Sequence, residues 1–184
     1  MIYTATNRVI RGIMQLEGLA KKIPNTRNVT AYWDSTGGVW TIGYGTTKGI
    51  KQGDVITFNR AEELLRRDIN EFQKLLVNYQ KNRGYKLNQN QFDALLSFVY
   101  NTGSIRAGSD LDQQLRRREY TSAVQTLKRY VYSGGQILAG LIKRRNYEAA
   151  LFSLLPGQRF IFPLWLYIWG RSMDSVRGGL YVNE

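Results

Sequence analysis

A short glycine-rich segment lies between stretches with helical periodicity, and this order of elements constrains the fold more than any other feature of the chain. Residues 31–47 are rich in Thr, Val, Ile, Trp and Tyr and contain four glycines, which predicts a small antiparallel sheet with tight turns. Residues 8–17 and about 59–80 place apolar side chains at helical spacing, whereas residues 21–30 predict a loop. Further helices are predicted at about 88–100, 109–118, 120–131 and 137–153.

This order of elements is typical of an α+β protein. The sheet predicts a small lobe at about residues 18–58, and the later helices predict a larger helical lobe at about residues 81–153. The long helix is expected to join the two lobes. Because 184 residues suffice for one domain with a buried core, we expect one domain over residues 1–153, followed by an aromatic and basic extension at 154–184.

The chain contains no His and no Cys. This absence excludes nucleophilic sites of the Ser-His-Asp and Cys-His types, and zinc sites built on His or thiolate ligands. It also excludes disulfides and thiol redox chemistry. If the protein is an enzyme, carboxylates, hydroxyls, amides or cations must perform the chemistry, and we expect no metal and no cofactor.

The charge balance predicts an anionic partner. The chain has 26 Lys and Arg residues against 14 Asp and Glu residues, which gives a net charge of +12. Nucleic acid, a membrane surface and an acidic polymer such as a bacterial wall all fit this charge, and a solvated basic surface is the alternative. We predict no nucleic-acid partner, because the sequence carries no helix-turn-helix, zinc or RNA-recognition signature.

The two ends of the chain bear on where the protein acts. The N-terminal residues show no basic region followed by an apolar stretch, so we expect no signal peptide and synthesis in the cytoplasm. The longest apolar run covers residues 160–169 and is interrupted by Pro163, whereas a membrane-spanning helix needs about 20 residues. This run packs on the helical lobe, lies at a membrane interface beside Arg159 and Arg171, or contacts a partner.

Two carboxylates differ from the others in their placement. Glu17 and Asp34 are the only acids in residues 1–53, a stretch that holds seven Lys or Arg residues. Glu17 ends a predicted helix, and Asp34 lies at the edge of the glycine-rich sheet. For each of the other acids, a solvated helix face or a cap is the favoured interpretation.

Glycoside hydrolysis needs such a pair of carboxyl groups. One carboxyl must remain protonated to give its proton to the leaving oxygen, which a partly buried helix end favours for Glu17. The other must remain ionised to stabilise charge or activate water, which suits Asp34 in an open polar turn. From the spacing alone, two ordinary surface or capping acids are the favoured interpretation, and the catalytic pair is the alternative.

Several segments, in this order, resemble the phage lysozymes of glycoside hydrolase family 24. The resemblance covers about residues 8–153 and is carried by ordered motifs in register. These motifs are Leu16-Glu17-Gly18-Leu19, Ala31-Tyr32-Trp33-Asp34, Thr41-Ile42-Gly43-Tyr44-Gly45, Asn90-Gln91-Phe92-Asp93-Ala94-Leu95, Ser97-Phe98-Val99-Tyr100-Asn101-Thr102-Gly103, and Gly140-Leu141-Ile142-Lys143-Arg144-Arg145 with Glu148 and Leu151-Phe152.

The resemblance implies a fold, a reaction and a set of roles. The fold would be lysozyme-like, with a cleft between the lobes of a catalytic domain. Glu17 is similar to the family's general acid, Asp34 to the acid that activates the water, and Thr41 to the threonine that holds the water. The implied reaction cleaves the β-1,4 bond between N-acetylmuramic acid and N-acetylglucosamine in peptidoglycan, with inversion at the anomeric carbon.

Further residues receive supporting roles from the same resemblance. Arg144 resembles the cation that pairs with the catalytic glutamate, although the register equally nominates Arg145. Asn101 corresponds to an amide that lines the saccharide groove and would bond an N-acetyl group or a hydroxyl; ending its helix is the alternative. Tyr44 is expected to bind substrate as well.

The chain departs from the family pattern at three places. The loop between Glu17 and Asp34 carries an insertion around residues 21–28, and the interval from Asp34 to Thr41 is one residue longer, which puts the placement of Thr41 in question. Thr46 stands where the family often has His, and we expect no loss of activity from that change.

The leading interpretation is therefore an endolysin, expected to be a monomer that acts on peptidoglycan and causes lysis of the host. The basic surface and the C-terminal segment are expected to allow contact with anionic membrane or lipopolysaccharide. Passage from the host cytoplasm to the wall would need a holin-type pore. A lytic transglycosylase, which needs one acid, and a non-catalytic membrane-active antibacterial protein are the alternatives.

Overall fold

The computed structural model describes residues 3–35, 37–155 and 158. The helices are α1 Asn7–Glu17, α2 Phe58–Arg83, α3 Gln89–Thr102, α4 Asp110–Arg117, α5 Tyr120–Lys128 and α6 Ala139–Phe152. The strands are β1 Asn28–Thr30, β2 Tyr32–Asp34, β3 Val39–Thr41, β4 Val55–Thr57, β5 Tyr132–Ser133 and β6 Gln136–Ile137. Helices combined with small antiparallel sheets confirm the predicted α+β class.

The chain divides into two compact units. One is Ile10–Glu71, and the other consists of the described residues of Met1–Val9 and Phe72–Glu184. The boundaries fall inside α1 and α2, so the first unit contains most of α1, strands β1 to β4 and the first part of α2. The apolar run at residues 160–169 lies outside the described residues. The division into one domain over residues 1–153 and an extension over residues 154–184 stays a prediction.

Strands β2 and β3 form the hairpin predicted from residues 31–47. They pair antiparallel with Tyr32 opposite Thr41 and Asp34 opposite Val39, and the N–H of Gly38 donates to the carbonyl of Asp34 at 2.7 Å across the turn. Side chains alternate between the two faces of a strand. Tyr32, Asp34 and Thr41 therefore share one face of the hairpin.

The opposite face of this hairpin carries two tryptophans. Trp33 and Trp40 lie opposite each other in the register, and their rings meet edge-to-face with centroids 5.7 Å apart. An aromatic pair of this kind stabilises a two-stranded sheet that has little other support. The pair therefore helps to fix the register that sets the other face.

A second pair of strands was not predicted. β1 pairs antiparallel with β4, with Val29 opposite Ile56, although the sequence around residue 28 predicted a loop. The prediction was wrong because the partner strand lies far along the chain and because only the central side chain of β1 is buried. Val29 belongs to a small apolar core with Ile42, Ala61 and Leu64.

One close approach in this core requires a glycine. A Cβ added to Gly43 would lie 2.9 Å from the Cβ of Ala61, and the φ of Gly43 is +65°. A larger side chain would clash with α2 and would strain the backbone. The segment that follows β3 is thereby packed against α2.

Helix α3 is buried along most of its length in the second unit. Its N-cap is Asn88, with a capping box in which the Asn88 side chain accepts from the N–H of Gln91 and the Gln91 side chain accepts from the N–H of Asn88. Gly103, with a φ of +82°, ends the helix. Helix α6 packs against α3.

The last predicted helices are shorter than expected. α5 ends at Lys128, and a small hairpin of β5 and β6 precedes α6, which begins at Ala139. Gly134 and Gly135 have φ values of +56° and +78° and form the turn of this hairpin. Within the part of the chain that the structure describes, no helix is long and apolar enough to cross a membrane.

Candidate active site

Glu17 is the last residue of α1, and the backbone turns sharply after it. Gly18 adopts a φ of +69° and its N–H donates to the carbonyl of Met14 at 3.0 Å, which ends the helix. The side chain of Glu17 is half-buried. Its carboxylate lies against Gly45, where an added Cβ would stand 3.6 Å from Oε2 of Glu17.

Asp34 is the last residue of β2 and is also half-buried. Its carboxylate lies beside the hairpin turn, where an added Cβ at Gly37 would be 3.3 Å from Oδ2 of Asp34. Asp34 therefore lies at the end of the strand, next to the glycine-containing turn.

The phenol of Tyr32 is affected by the negative charges of both acids. Burial is the largest cause of the raised pKa of Tyr32, and the negative charges of Asp34 and Glu17 raise this pKa further. Both carboxylates therefore act on one phenol within the unit Ile10–Glu71. Tyr32 was assigned no role from the sequence, although its position two residues before Asp34 places both residues on one strand face.

A lysine from the inserted loop also lies close to Tyr32. The Nζ atom of Lys21 is 6.0 Å from the centroid of the Tyr32 ring. Lys21 has a φ of +52°, which is uncommon for a residue with a side chain, and its carbonyl accepts from the N–H of Thr30 at 3.1 Å. The insertion therefore brings a positive charge to the neighbourhood of the two acids.

Thr41 lies on the same hairpin face as Asp34, opposite Tyr32. It is 3% exposed, and its Oγ1 is 3.5 Å from the carbonyl of Val39, at the long limit of a hydrogen bond. A hydroxyl held this weakly can turn toward another partner. The role of Thr41 in holding water stays a prediction.

Tyr44 is half-buried and packs against the core cluster of the same unit. Burial raises the pKa of its phenol, and the charge of Glu62 on α2 adds to this increase. The ring thus supports the segment after β3. Its predicted contact with substrate stays a prediction.

Thr46 stands at the position where the family that the chain resembles often has His. It is 2% exposed, and its Oγ1 donates to Oδ2 of Asp68 on α2 at 2.7 Å. Its backbone and that of Ile42 exchange hydrogen bonds of 2.9 and 3.1 Å. These bonds close the turn that contains Gly45, and so they hold the residue that contacts Glu17.

Asn101 and Arg145 meet in the other unit. Nη2 of Arg145 donates to Oδ1 of Asn101 at 2.8 Å, and Nε of Arg145 lies 2.8 Å from Oε2 of Glu148. Complete burial raises the pKa of Glu148 to about 7, against the opposing effects of Arg145, Arg144 and Ser97. Burial also lowers the pKa of Arg145. The structure thus gives Arg145 a carboxylate and an amide as partners.

Arg144 is the other cation that the sequence nominated. It lies on α6 in the unit that includes Phe72–Glu184, whereas Glu17 lies in Ile10–Glu71. Its side chain is 5% exposed. The pairing of Glu17 with a cation on α6 stays a prediction.

Three carboxylates contradict the expectation of solvated faces and caps. Asp93, Asp112 and Glu148 are at most 1% exposed. Each has hydrogen-bonding partners on another element, such as Ser97 for Glu148 at 2.8 Å. The expectation was wrong because a helix pattern does not reveal which polar positions find partners across the core.

Comparison with known proteins agrees with this fold. The sequence profile described as phage lysozyme matches residues 24–148. The matched range contains Asp34, Thr41 and Asn101 and begins after Glu17. The chain belongs to the phage lysozyme family.

Two relatives illustrate the range of this similarity. The endolysin of Acyrthosiphon pisum secondary endosymbiont phage 1 is 41% identical over 120 residues, which cover 62% of this chain and 80% of that protein. The endolysin of Bacillus phage PZA is 38% identical over 117 residues, which cover 62% of this chain. The match spans 44% of the Bacillus phage protein, less than half of its length.

Solved structures show the same similarity in three dimensions. The muramidase domain of SpmX from Asticaccaulis excentricus superposes with a TM-score of 0.68 at 32% identity, and covers 83% of this chain and 99% of that domain. The endolysin of Escherichia coli O157:H7 phage FAHEc1 gives a TM-score of 0.64 at 28% identity, over 82% of this chain and 93% of that protein. The lysozyme-like fold predicted from the sequence is confirmed.

Proposed function

We propose that this protein is an endolysin that hydrolyses bacterial peptidoglycan at the β-1,4 bond between N-acetylmuramic acid and N-acetylglucosamine. The observation that carries the proposal is the pair of half-buried carboxylates in one compact unit, Glu17 at the end of α1 and Asp34 at the end of β2, whose negative charges both raise the pKa of Tyr32. Membership of the phage lysozyme family supports the same substrate class.

Glu17 acts as the general acid in this proposal. Its carboxyl group gives a proton to the glycosidic oxygen as the bond to the leaving sugar breaks. Gly45 has no side chain and lies beside this half-buried carboxyl group, which leaves space on that side for a glycosidic oxygen. General acid catalysis of this kind contributes roughly 10²–10⁴-fold to the rate.

Asp34 and Thr41 act on the water. Asp34 accepts a proton from the water as its oxygen attacks the anomeric carbon, and the hydroxyl of Thr41 holds that water in place. Inversion of configuration needs carboxyl groups about 6.5–9.5 Å apart, so that a water fits between acid and base. The shared hairpin face of Asp34 and Thr41 supports this pairing of roles.

The decisive test replaces Glu17 with Gln. Glu17→Gln keeps the size and hydrogen bonding of the side chain but cannot donate an acidic proton. We expect a folded protein whose clearing of purified peptidoglycan is slower by roughly 10²–10⁴-fold. Glu63→Gln is the matched control, because Glu63 is exposed and pairs with Arg60 on the surface at 2.8 Å. Near-normal clearing by Glu17→Gln would overturn the proposal.

Product analysis tests the bond and the reaction type. Hydrolysis leaves a reducing N-acetylmuramic acid, which mass spectrometry of the digested wall detects, and proton NMR of the first product reports its anomeric configuration. A 1,6-anhydro product would instead identify a lytic transglycosylase. The α-anomer as first product supports inversion, whereas the β-anomer contradicts it.

The route to the wall is part of the proposal. We propose that the protein is made in the host cytoplasm and reaches the wall through a holin-type pore. Two relatives, from Pseudomonas phage phiKMV and Haemophilus phage HP1, are named SAR-endolysins. If the route runs through a holin-type pore, expression in a bacterial host causes lysis only when a holin is supplied, and lysis without any holin would contradict this route.

A further inference from the structure

A groove of about 760 Å³ lies in the second unit, where the end of α2 meets the starts of α3 and α5. Its walls carry the rings of Tyr3, Tyr85 and Tyr120. None of the residues proposed to act in catalysis lines this groove. A concave surface with aromatic walls and a few polar groups is typical of a ligand site.

The polar wall of the groove is positively charged. Lys81 and Lys86 line it and are exposed, and the described residues that line it include neither Asp nor Glu. Within the part of the chain that the structure describes, neither lysine forms an ion pair. The positive charge of Arg118 also reaches the groove, because it acts on the Tyr120 phenol. The charge of the groove therefore complements an anion.

An amide on the groove wall has a fixed orientation. Gln91 is 7% exposed and lines the groove, and its Oε1 accepts from the N–H of Asn88 at 2.9 Å in the capping box. This bond turns Nε2 away from the helix end. No acceptor among the described residues is bonded to Nε2, so its N–H groups are available to an oxygen atom in the groove.

Two of the three tyrosines offer their rings rather than their hydroxyls. The hydroxyl of Tyr85 donates to Asp112, and that of Tyr120 donates to the carbonyl of Lys86. The rings remain as flat apolar walls, on which the C–H face of a sugar ring can pack. Cations and an amide donor beside such rings suit a sugar that carries an anionic group better than they suit a bare anion.

We propose that this groove binds an anionic saccharide of the bacterial envelope. Its phosphate or carboxylate groups pair with Lys81 and Lys86, its oxygen atoms accept from Gln91, and a sugar ring packs on the tyrosines. The proposal rests on the proposed function for the source of the ligand. A site of this kind retains the enzyme on the wall without taking part in the cleavage of the glycan.

The main test measures binding to purified cell walls by cosedimentation, in the full chain with Glu17→Gln to prevent turnover. We expect the double variant Lys81→Gln/Lys86→Gln to bind about 5- to 30-fold more weakly, the value of two exposed ion pairs. Lys48→Gln/Lys51→Gln is the matched control, because both lysines are exposed and lie in the unit Ile10–Glu71. The two double variants have the same net charge, so a larger loss for the first one reports the groove itself.

A second variant tests the groove without removing a lysine. Gln91→Glu retains the oxygen that accepts from Asn88, and Glu is a usual residue at this position of a capping box, so the variant should fold. It removes the Nε2 donors and adds a negative charge at the groove wall. We expect weaker wall binding than for Gln52→Glu, the same change at an exposed position of the other unit. Equal binding by these two variants would contradict the proposal.

Two further measurements identify the ligand. Walls treated with hydrofluoric acid lose their phosphate-linked polymers; if the effect of the Lys81 and Lys86 changes disappears with them, the ligand carries phosphate. If the effect persists, the ligand carries the carboxylates of the wall peptides. Tyr3→Leu should weaken binding to walls but not to inorganic polyphosphate, whereas unchanged wall binding would contradict the packing of a sugar on this ring.

The outcomes separate this proposal from the proposed function. Equal wall binding by the two double lysine variants would overturn the proposal; this result is also expected if a segment of the chain, such as residues 160–169, fills the groove. Turnover of a soluble peptidoglycan fragment, measured with Glu17 intact, should be the same for the parent and both double variants. A parent that does not cleave the fragment contradicts the proposed function, while the wall-binding comparison still decides the role of the groove.

Discussion

Gly45 lies against the carboxylate of Glu17, since an added Cβ would be 3.6 Å from Oε2. The φ of Gly45 is +96°, a conformation that residues with side chains rarely adopt. The glycine therefore serves both the turn after β3 and the space in front of the proposed acid.

Gly45→Ala should reduce both stability and activity. The backbone strain is expected to lower the free energy of unfolding by about 1 kcal/mol, and the methyl group should hinder access of substrate to Glu17. Gly49→Ala is the control, because Gly49 also has a positive φ, +78°, with no atom within 4 Å of the added Cβ. Equal lytic activity of the two variants at matched stability would show that the contact with Glu17 has no role.

The hairpin and the positions of the two acids follow directly from local sequence. The glycines and β-branched residues of 31–47 define a turn between two short strands, and Asn88 and Gly103 mark the ends of α3. Such features depend on neighbours within a few residues, which is why the sequence predicts them well.

The unpredicted features depend on partners far along the chain. The position of Tyr32 on the same face as Asp34 and Thr41 follows from the strand register. The position of Lys21 near the Tyr32 ring follows from the conformation of the loop. Ser97 and Glu148 are 51 residues apart in sequence, and their contact requires α3 to pack on α6. Periodicity identifies the buried face of each helix, but it does not identify which polar groups meet there.

Thr46→Val tests the bond that holds the turn near Glu17. The change removes the hydroxyl that donates to Asp68 at 2.7 Å and keeps the shape of the side chain. We expect the free energy of unfolding to fall by about 1–2 kcal/mol, because the half-buried carboxylate of Asp68 loses a donor. Denaturant unfolding measures this effect, and Thr47→Val at the exposed neighbouring position should change it little. Equal effects of the two changes would contradict the importance of the bond.

Asp112 should contribute to stability at neutral pH and lose that contribution in acid. Burial acts to raise the pKa of Asp112, but hydrogen bonds from Tyr85, the N–H of Gly108 and Arg83 hold this pKa below its ordinary value of 3.8. A lowered pKa in the folded state stabilises the fold above 3.8, and the effect disappears as the pH falls through the lowered value.

Tyr85→Phe removes one of these donors to Asp112. At pH 7 the variant should be less stable by about 1–2 kcal/mol, the usual value for a hydrogen bond to a charged group. The difference should narrow as Asp112 becomes protonated. Tyr130→Phe, at a ring that is 39% exposed, is the control. A difference that stays constant down to low pH would contradict the assignment to Asp112.

Glu148 should affect stability with the opposite dependence on pH. Burial raises its pKa from 4.5 to about 7, so the folded protein retains a proton that the unfolded chain releases. The resulting stabilisation is fully present below pH 4.5 and is lost as the pH rises to about 7. Glu148→Gln cannot titrate and should lack this dependence.

The measurement compares the unfolding free energies of the parent and Glu148→Gln between pH 4 and pH 8. The parent should lose stability relative to the variant by an amount on the order of 2–3 kcal/mol as the pH rises through this window. Glu119→Gln, at an exposed position with no side-chain cap bond, should follow the parent. A relative gain of the parent with rising pH would mean that the attraction of Arg145 outweighs the cost of burying the Glu148 charge.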